Sequence, residues 1–306
     1  MKRTFEIKPG LFLIDLPQPA EGFEKFISAW FFRDEAGKNI LVETGPANTI
    51  PALSEELPKL TGSLDYILLT HIHLDHSGGL GHLMSNYPRA KVFVSAKGKK
   101  HLISPGKLWD ASVSNLGDFA KLYGEPLPVP PGVFVDEGEP LEGVEVYETP
   151  GHATHHIAFR IPFKGGHLLF AGEAAGMTLP DTEGLYLRPT TPPKFDAQAA
   201  LSSLDLLLDV SSDDDTLCFA HFGSMDNARQ IIAKSKEQLL FWMENISVWR
   251  KNGIERGRML KMLLSIDPLL AALKKMPERL GYRERYFIEN NLAGIIGWIE
   301  SQEKQE

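Results

Sequence analysis

The stretch Thr70-His71-Ile72-His73-Leu74-Asp75-His76-Ser77-Gly78-Gly79 places three imidazoles and a carboxylate within six residues. Imidazole nitrogens and carboxylate oxygens are the donors that zinc and other borderline first-row cations take. In extended backbone His71 and His73, at i and i+2, project to one side. A turn after them brings Asp75 and His76 to a second point close by. A polar loop that happens to be rich in histidine is the alternative, but four ligand-type residues at this spacing argue for a metal site.

One loop cannot fill such a site, so the remaining donors must come from elsewhere. Thr149-Pro150-Gly151-His152 follows the β-type run Val144–Glu148, Gly172-Glu173 follows Leu168-Leu169-Phe170-Ala171, and His221 follows the run Thr216–Ala220. Each sets one donor just beyond a strand, where a sheet edge can converge side chains on a point. His155 and His156 follow His152 closely enough to enter the pocket or support a ligand. His82, His101 and His167 read as ordinary helix or turn residues.

The elements that must hold these donors alternate. Leu11–Leu16, Ile27–Arg33 and Asn39–Glu43 are short β-type runs between Pro and Gly punctuation. Thr49–Leu60 reads as helix with Pro51 in its first turn. Tyr66-Ile67-Leu68-Leu69 is a buried strand leading into the histidine loop. A helix is expected at Ser77–Tyr87, a strand at Lys91–Ser95 and a helix from Ala96. Residues 104–132 form an irregular insert with helical character near Asp118–Tyr123. Strands at Val133–Val135, Val144–Glu148 and Ile157–Ile161 follow, the last turned by Gly165-Gly166 into His167–Ala171. After a long loop over Leu185–Pro193, a helix at Phe195–Asp209 passes through the acidic turn Asp213-Asp214-Asp215, read as solvated, to the strand Thr216–Ala220. From Asp226 the pattern is helical, with Ile288, Leu292, Ile295, Ile296 and Ile299 on one face. The expected organisation is therefore a mixed α/β domain over 1–225 and a helical subdomain over 226–306.

Composition sets outer bounds. The chain has 306 residues, 43% hydrophobic and 24% charged, and a net charge of −8. An acidic body argues against nucleic-acid binding, which needs a basic face. No apolar run reaches membrane-spanning length, and Pro9-Gly10 breaks the apolar stretch behind Met1-Lys2-Arg3, unlike a secretory signal. The single cysteine, Cys218, excludes an intramolecular disulfide and points to a reducing, cytoplasmic setting, with the thiol buried and inert. The final 81 residues carry 14 basic and 11 acidic side chains, against 18 and 29 in the rest. The expected partner is a small molecule, anionic if that basic tail contacts it, with neither nucleic acid nor membrane. A homo-oligomer is left open.

Taken in order, His-x-His-x-Asp-His, the isolated Thr-Pro-Gly-His, a Gly-acid pair after a strand and a final histidine resemble the metallo-β-lactamase superfamily. The resemblance covers roughly residues 10–225. It implies a four-layer αβ/βα sandwich with metals at one edge of the paired sheets. It also implies His71, His73 and His152 around one divalent ion and Asp75, His76 and His221 around a second, with Glu173 at the bridging position. The helical extension is similar to that of hydroxyacylglutathione hydrolases. Two positions depart from the family's usual Asp: Glu173 at the bridge, and Glu43 in Glu43-Thr44-Gly45. A Glu reaches about 1.5 Å further, so Glu173 bridges from a backbone set back, binds one metal only, or leaves the site with a single ion. Glu43 is expected behind the ligands, orienting a histidine by hydrogen bonding.

The chemistry implied is hydrolysis of an ester, thioester or lactone by an activated water, with zinc as the first choice of ion and iron or manganese as alternatives. Asp75 would orient the water or receive a proton. Tyr186, Arg188 and His156 are candidates for the pocket wall, and Arg283, Tyr286 and Asn290 share a helical face, at i, i+3 and i+7, that could hold the remote end of a substrate. The rivals are a mononuclear iron oxygenase of the persulfide-dioxygenase kind on the same scaffold, a phosphodiesterase or nuclease, and a non-catalytic metal-binding protein.

Overall fold

The computed structural model describes residues 2–135, 141–180 and 182–304. Among these residues, β1 (Thr4–Lys8), β2 (Leu11–Asp15), β3 (Ser28–Arg33), β4 (Asn39–Val42), β5 (Tyr66–Leu68) and β6 (Lys91–Phe93) lie side by side in chain order. A second sheet has β7 (Glu145–Glu148), β8 (Ile157–Phe163), β9 (Gly166–Gly172), β10 (Thr216–Phe219) and β11 (Ser224–Met225), again in order. Pairing is antiparallel except for β4–β5–β6 and β9–β10, which are parallel.

Apart from the edge strands β1 and β7, the longer strands are apolar on both faces, and their period of two sorts the side chains between two cores. Leu11, Leu13, Trp30, Phe32, Ile40, Val42 and Leu68 meet Ile157, Phe159, Leu168, Phe170 and Cys218 between the sheets. Their chain neighbours Ile14, Ala29, Phe31, Leu41, Ile67, Ala158, Leu169, Ala171, Leu217 and Phe219 belong to the core shared with the helices. The result is helices, sheet, sheet, helices: the four-layer sandwich. Trp30 lies in the central layer, where a side chain of this size contributes about 1.5–3 kcal/mol by burial. Its indole N–H donates to the Phe219 carbonyl at 2.9 Å, tying one sheet to the other. Cys218 is buried, and burial pushes its thiol well above the usual range, so it is an inert core residue.

The helices after residue 226 are Ala228–Lys251, Arg256–Ile266 and Glu278–Glu303, with a 3-10 stretch at Pro268–Lys275. Their apolar faces, including Ile232, Trp242, Leu263, Ile288 and Leu292, join the same core cluster as the sheets' outer faces. Among the described residues no helix is long and apolar enough to cross a membrane.

Several local expectations give way. The helix foreseen at Ser77–Tyr87 begins earlier and breaks into Leu74–Ser77 and Leu80–Leu83. The break sits at Gly78-Gly79: a Cβ on Gly79 would lie 2.4 Å from Ile50 Cδ1, and its N–H donates to Gly45 O. Strand β1 is additional, and its half-exposed edge gives too little alternation to read. In place of a strand at Val133–Val135, a 3-10 turn over Pro131–Val133 is followed by a single bridge from Phe134 to Val92. The insert is more regular than expected, with helices at Gly106–Leu116 and Asp118–Tyr123. The acidic turn is only partly solvated. Asp215 is buried and receives Arg160 Nε at 2.8 Å and the Ser212 hydroxyl at 2.9 Å.

Candidate metal centre

Every donor leaves the sheets at the same edge. Glu43 follows β4, His71 lies just past β5, His152 stands in the loop between β7 and β8, Glu173 follows β9, and His221 lies just past β10. The two sheets are stitched together there. Ile157 N donates to Thr70 O at 2.8 Å, Phe222 N donates to Phe26 O at 3.0 Å, and Ile27 bridges to His221.

Glu173 is the centre of the cluster. Its Oε2 lies 2.8 Å from His152 Nε2, 3.4 Å from His71 Nε2 and 3.7 Å from His76 Nε2, while its Oε1 lies 3.3 Å from His221 Nε2. His152 Nε2 is 3.0 Å from His73 Nδ1, and Asp75 Oδ2 is 3.5 Å from His76 Nε2. Two four- and three-residue donor groups result, His71–His73–His152–Glu173 and Asp75–His76–His221, with a third, Glu43–His71–His76, behind them. The structure thus brings together all seven residues that the sequence offered as ligands, with Glu43 beside them.

Hydrogen bonds behind the rings fix which nitrogen faces inward. Thr70 Oγ1 donates to Glu43 Oε1 at 2.5 Å and is 3.0 Å from His71 Nδ1. With its proton committed to Glu43, the hydroxyl accepts from Nδ1–H, which leaves the His71 Nε2 lone pair facing the cluster. Glu43 reaches Thr70 from a left-handed backbone, φ 65°, a conformation that costs a Glu about 1–3 kcal/mol. His152 Nδ1 donates to the Thr190 carbonyl at 3.1 Å, and Thr190 Oγ1 donates to the Glu173 carbonyl at 2.6 Å. His156, expected at the pocket wall, is instead a brace beneath it. Its Nε2 accepts from Glu173 N–H at 3.0 Å and its Nδ1 meets Thr149 Oγ1 at 2.8 Å. It approaches so closely that a Cβ on Gly172 would lie 2.2 Å from its Nε2. His155 is half-buried, its ring 5.7 Å from that of His73, and joins neither donor group.

Burial first, and neighbouring imidazoles second, hold His71, His73 and His156 well below their ordinary 6.5, so they carry lone pairs rather than charge. At His152 burial opposes the imidazolium, but the Glu173 carboxylate outweighs it and raises the pKa. Glu173 is correspondingly held well below the carboxylate range against its own burial, with His152 the strongest opposing cause. The centre of the cluster favours positive charge. Around it, His71 Nε2, both nitrogens of His76, His221 Nδ1 and Glu43 Oε2 are buried without a hydrogen-bond partner. Each such group costs about 1–3 kcal/mol, so several in one place call for an explanation. A divalent cation supplies one, and the spacing agrees. Donor separations of 2.8, 3.0 and 3.4 Å match the edge, about 3.3 Å, of a tetrahedron with bonds of ~2.0–2.1 Å. The donor set fits the group.

The substrate-side candidates are placed differently from expectation. Tyr186 OH donates to Glu284 Oε2 at 2.7 Å, Arg188 Nε to the same oxygen at 2.8 Å, and Arg283 Nε to Glu284 Oε1 at 2.8 Å. All three are buried, and Arg283 Nη1 is further committed to Gly22 O at 2.6 Å. They form an internal charge network rather than an open wall, because a buried carboxylate on the C-terminal helix draws them in. Tyr286, on that helix, is 42% exposed, and Asn290 is half-buried. Two features escaped the sequence. Tyr123 is a buried phenol whose pKa is raised well above 10 by burial and then by Asp75 and Glu173, so it stays protonated. Aromatic rings run outward from the cluster: Phe26 stacks on His221 at 4.4 Å, Phe287 on Phe26 at 5.1 Å, and Phe119 lies 5.3 Å from Phe23 and 6.1 Å from Tyr286. The contributing segments lie far apart in the chain, and no local pattern joins them.

Residues 22–221 match the model of the metallo-beta-lactamase superfamily. A metallo-beta-lactamase fold-containing protein of Sulfurisphaera tokodaii is 30% identical over 219 residues, 65% of this chain and 77% of that protein. The crystal structure of an archaeal metallo-beta-lactamase superfamily protein from Sulfolobus tokodaii is similar at a TM-score of 0.66 and 27% identity, covering 93% of this chain and 98% of that one. A hydroxyacylglutathione hydrolase of Ruegeria pomeroyi is 32% identical over 195 residues, 64% of this chain and 62% of that protein. One from Aeromonas salmonicida is 29% identical over 148 residues, 47% and 44%. The chain therefore spans between 44% and 62% of the length of these two hydrolases. Donor set, fold and matches agree: the chain belongs to the metallo-beta-lactamase superfamily, members of which are metal-dependent hydrolases.

Proposed function

We propose that this protein hydrolyses a small ester or thioester, using two divalent cations with zinc as the first choice. The observation that carries the proposal is Glu173. One of its oxygens faces His71, His152 and His76, and the other faces His221. A single carboxylate addressing both donor groups supports a dinuclear site despite its extra methylene. His71, His73, His152 and Glu173 would hold one ion, and Asp75, His76, His221 and Glu173 the other. When bound, such an ion makes a water acidic near neutral pH and polarises a carbonyl oxygen.

The chain's own groups do the rest. Asp75 retains more solvent access than the acids behind it, with 19% of its side chain exposed. It is suited to orient the attacking water, take its proton and return it to the leaving alcohol or thiol. Tyr123, kept protonated, is a hydrogen-bond donor within electrostatic reach of Asp75 and Glu173. Arg188 and Arg283 are already committed to Glu284, so neither is free to receive an anion. The rings of Phe119 and Tyr286 instead favour an uncharged substrate with an apolar acyl or aryl group. The likeness to hydroxyacylglutathione hydrolases supports a thioester among the candidates. The buried Cys218, the chain's single cysteine, agrees with a cytoplasmic setting.

The test strips the metal with a chelator, restores zinc, manganese or iron in turn, and follows matched esters and thioesters with short and long acyl groups. Expected are loss and recovery of turnover, about two ions per chain, and preference for the longer acyl group. Turnover that survives complete stripping, or that consumes oxygen and follows iron, would overturn the proposal.

A further inference from the structure

The loop Arg188-Pro189-Thr190-Thr191-Pro192-Pro193 has an unusual backbone accounting. Three of its six residues are proline and lack an N–H, so the loop cannot close its own hydrogen-bond ladder and must find partners elsewhere. Inside, the Thr190 carbonyl takes the His152 Nδ1 proton and the Thr190 hydroxyl donates to the Glu173 carbonyl. Outside, Arg188 pairs with the Met177 backbone and the Pro192 carbonyl accepts from Phe195 N–H, while one residue of the C-terminal helix meets both Pro189 and Thr191. Asn291 Oδ1 accepts from Thr191 N–H at 3.1 Å, Asn291 Nδ2 donates to Pro189 O at 2.5 Å, and the Asn291 carbonyl accepts from Thr191 Oγ1 at 2.7 Å. Three residues on, on the same helical face, Gly294 lets the helix touch the loop. A Cβ there would lie 1.9 Å from Thr191 O and 2.8 Å from Pro192 O.

We propose that Asn291 and Gly294 are positioning residues for the metal centre: the C-terminal helix clamps the proline loop, and the clamped Thr190 fixes the tautomer and aim of His152 and the backbone of Glu173. The chain of contacts runs from Asn291 through Thr191 to Thr190, and from there to two ligands that lie 2.8 Å apart. With the clamp released, the Thr190 carbonyl leaves His152 Nδ1. The imidazole then loses the partner that keeps its Nε2 turned toward Glu173 and His73. Asn291 is itself buried and its hydrogen bonds go to Pro189 and Thr191 rather than to either ligand, so it acts through the loop. The helices beyond residue 226 are on this account part of the centre's framework as well as a cover.

The proposal rests on the metal-centre reading, and the experiment separates the two. Zinc is titrated calorimetrically into metal-stripped full-length protein, unsubstituted, Asn291→Ala and Gly294→Ala, with circular dichroism to establish folding. The His152 Nδ1–H resonance is followed in the metal-free samples, and the visible spectrum is recorded with cobalt(II). Expected are zinc binding about 10–100-fold weaker in both variants, the loss typical of releasing a ligand's hydrogen-bond partner. The Nδ1–H resonance should be lost or exchange-broadened and the cobalt bands altered, effects that general destabilisation would not produce in a folded sample. Because Gly294→Ala keeps the Asn291 amide, it tests the clamp even where Asn291→Ala fails to fold. Folded variants with unchanged affinity, resonance and spectrum overturn the clamp and leave the metal centre standing. An unsubstituted protein that binds no zinc, cobalt, manganese or iron overturns both.

Discussion

Two fully buried carboxylates, Glu43 and Glu284, sit in clusters that look alike by composition and differ in their accounts. Glu284 on the C-terminal helix accepts from Tyr186, Arg188 and Arg283, and both of its oxygens are satisfied. Its pKa is lowered, because the two guanidiniums outweigh its burial. Glu43 at the edge of the sheets has Thr70 for one oxygen and no hydrogen-bond partner for the other. Burial pushes it up to about 8, with Asp75 and Glu173 adding to the shift. A buried polar cluster that closes on itself is architecture, whereas one whose lone pairs face one another has the donor pattern of a cation site. Type and burial do not separate the two; satisfaction does.

The sharpest way to break this contrast is to remove one member of each cluster. His71→Ala should cost turnover about three decades or more, the several kcal/mol that bound metal supplies. It should also abolish the upward shift of the unfolding midpoint that added zinc gives the unsubstituted protein by linkage. Near-normal turnover would return the histidine cluster to plain structure. Glu284→Ala should instead destabilise the fold by about 3 kcal/mol, since it leaves two guanidiniums buried without their carboxylate. That is readable as a lower urea midpoint with or without metal. A folded Glu284→Ala protein of unchanged midpoint would end the claim that this network holds the helix in place.

The smaller effect is a pair of opposite pH slopes in the metal-stripped protein. Glu43 keeps its proton in the folded state above 4.5, where the unfolded chain has lost it, so the native state binds more protons. Stability then falls as pH rises from 4.5 toward 8. Glu284 is the reverse: its contribution is present above 4.5 and is lost as pH falls through its lowered folded value. Glu43→Gln should flatten the first slope and Glu284→Gln the second, measured as urea unfolding across the two windows. Slopes that do not separate by variant would mean that other groups dominate.

The histidine cluster was legible because its chemistry is local in type. Few reasons other than a metal place His71, His73, Asp75 and His76 within six residues, and Thr-Pro-Gly-His, Gly-Glu and His221 each sit just past a recognisable strand. The outer side of the site was not legible, for the same reason in reverse. Arg188 and Tyr186 look like pocket residues until Glu284, nearly a hundred positions away, claims them, and nothing near Glu284 announces it. His156 beside His152 reads as entering the pocket or supporting a ligand, and only the turn of backbone at Gly172 decides for the second. Helix ends failed where close approach decided them, as at Gly79 against Ile50.

What the sequence determined alone is the donor chemistry, because residue type and strand-end position fix which atoms are available and roughly where. Which of those atoms remain unsatisfied was decided by tertiary structure, because a hydrogen bond depends on distances between segments that share no local pattern. Thr70 takes Glu43, Thr190 takes His152, and Asn291 holds Thr190's loop in place. Only folding brings these partners to hydrogen-bonding distances of 2.5–3.1 Å.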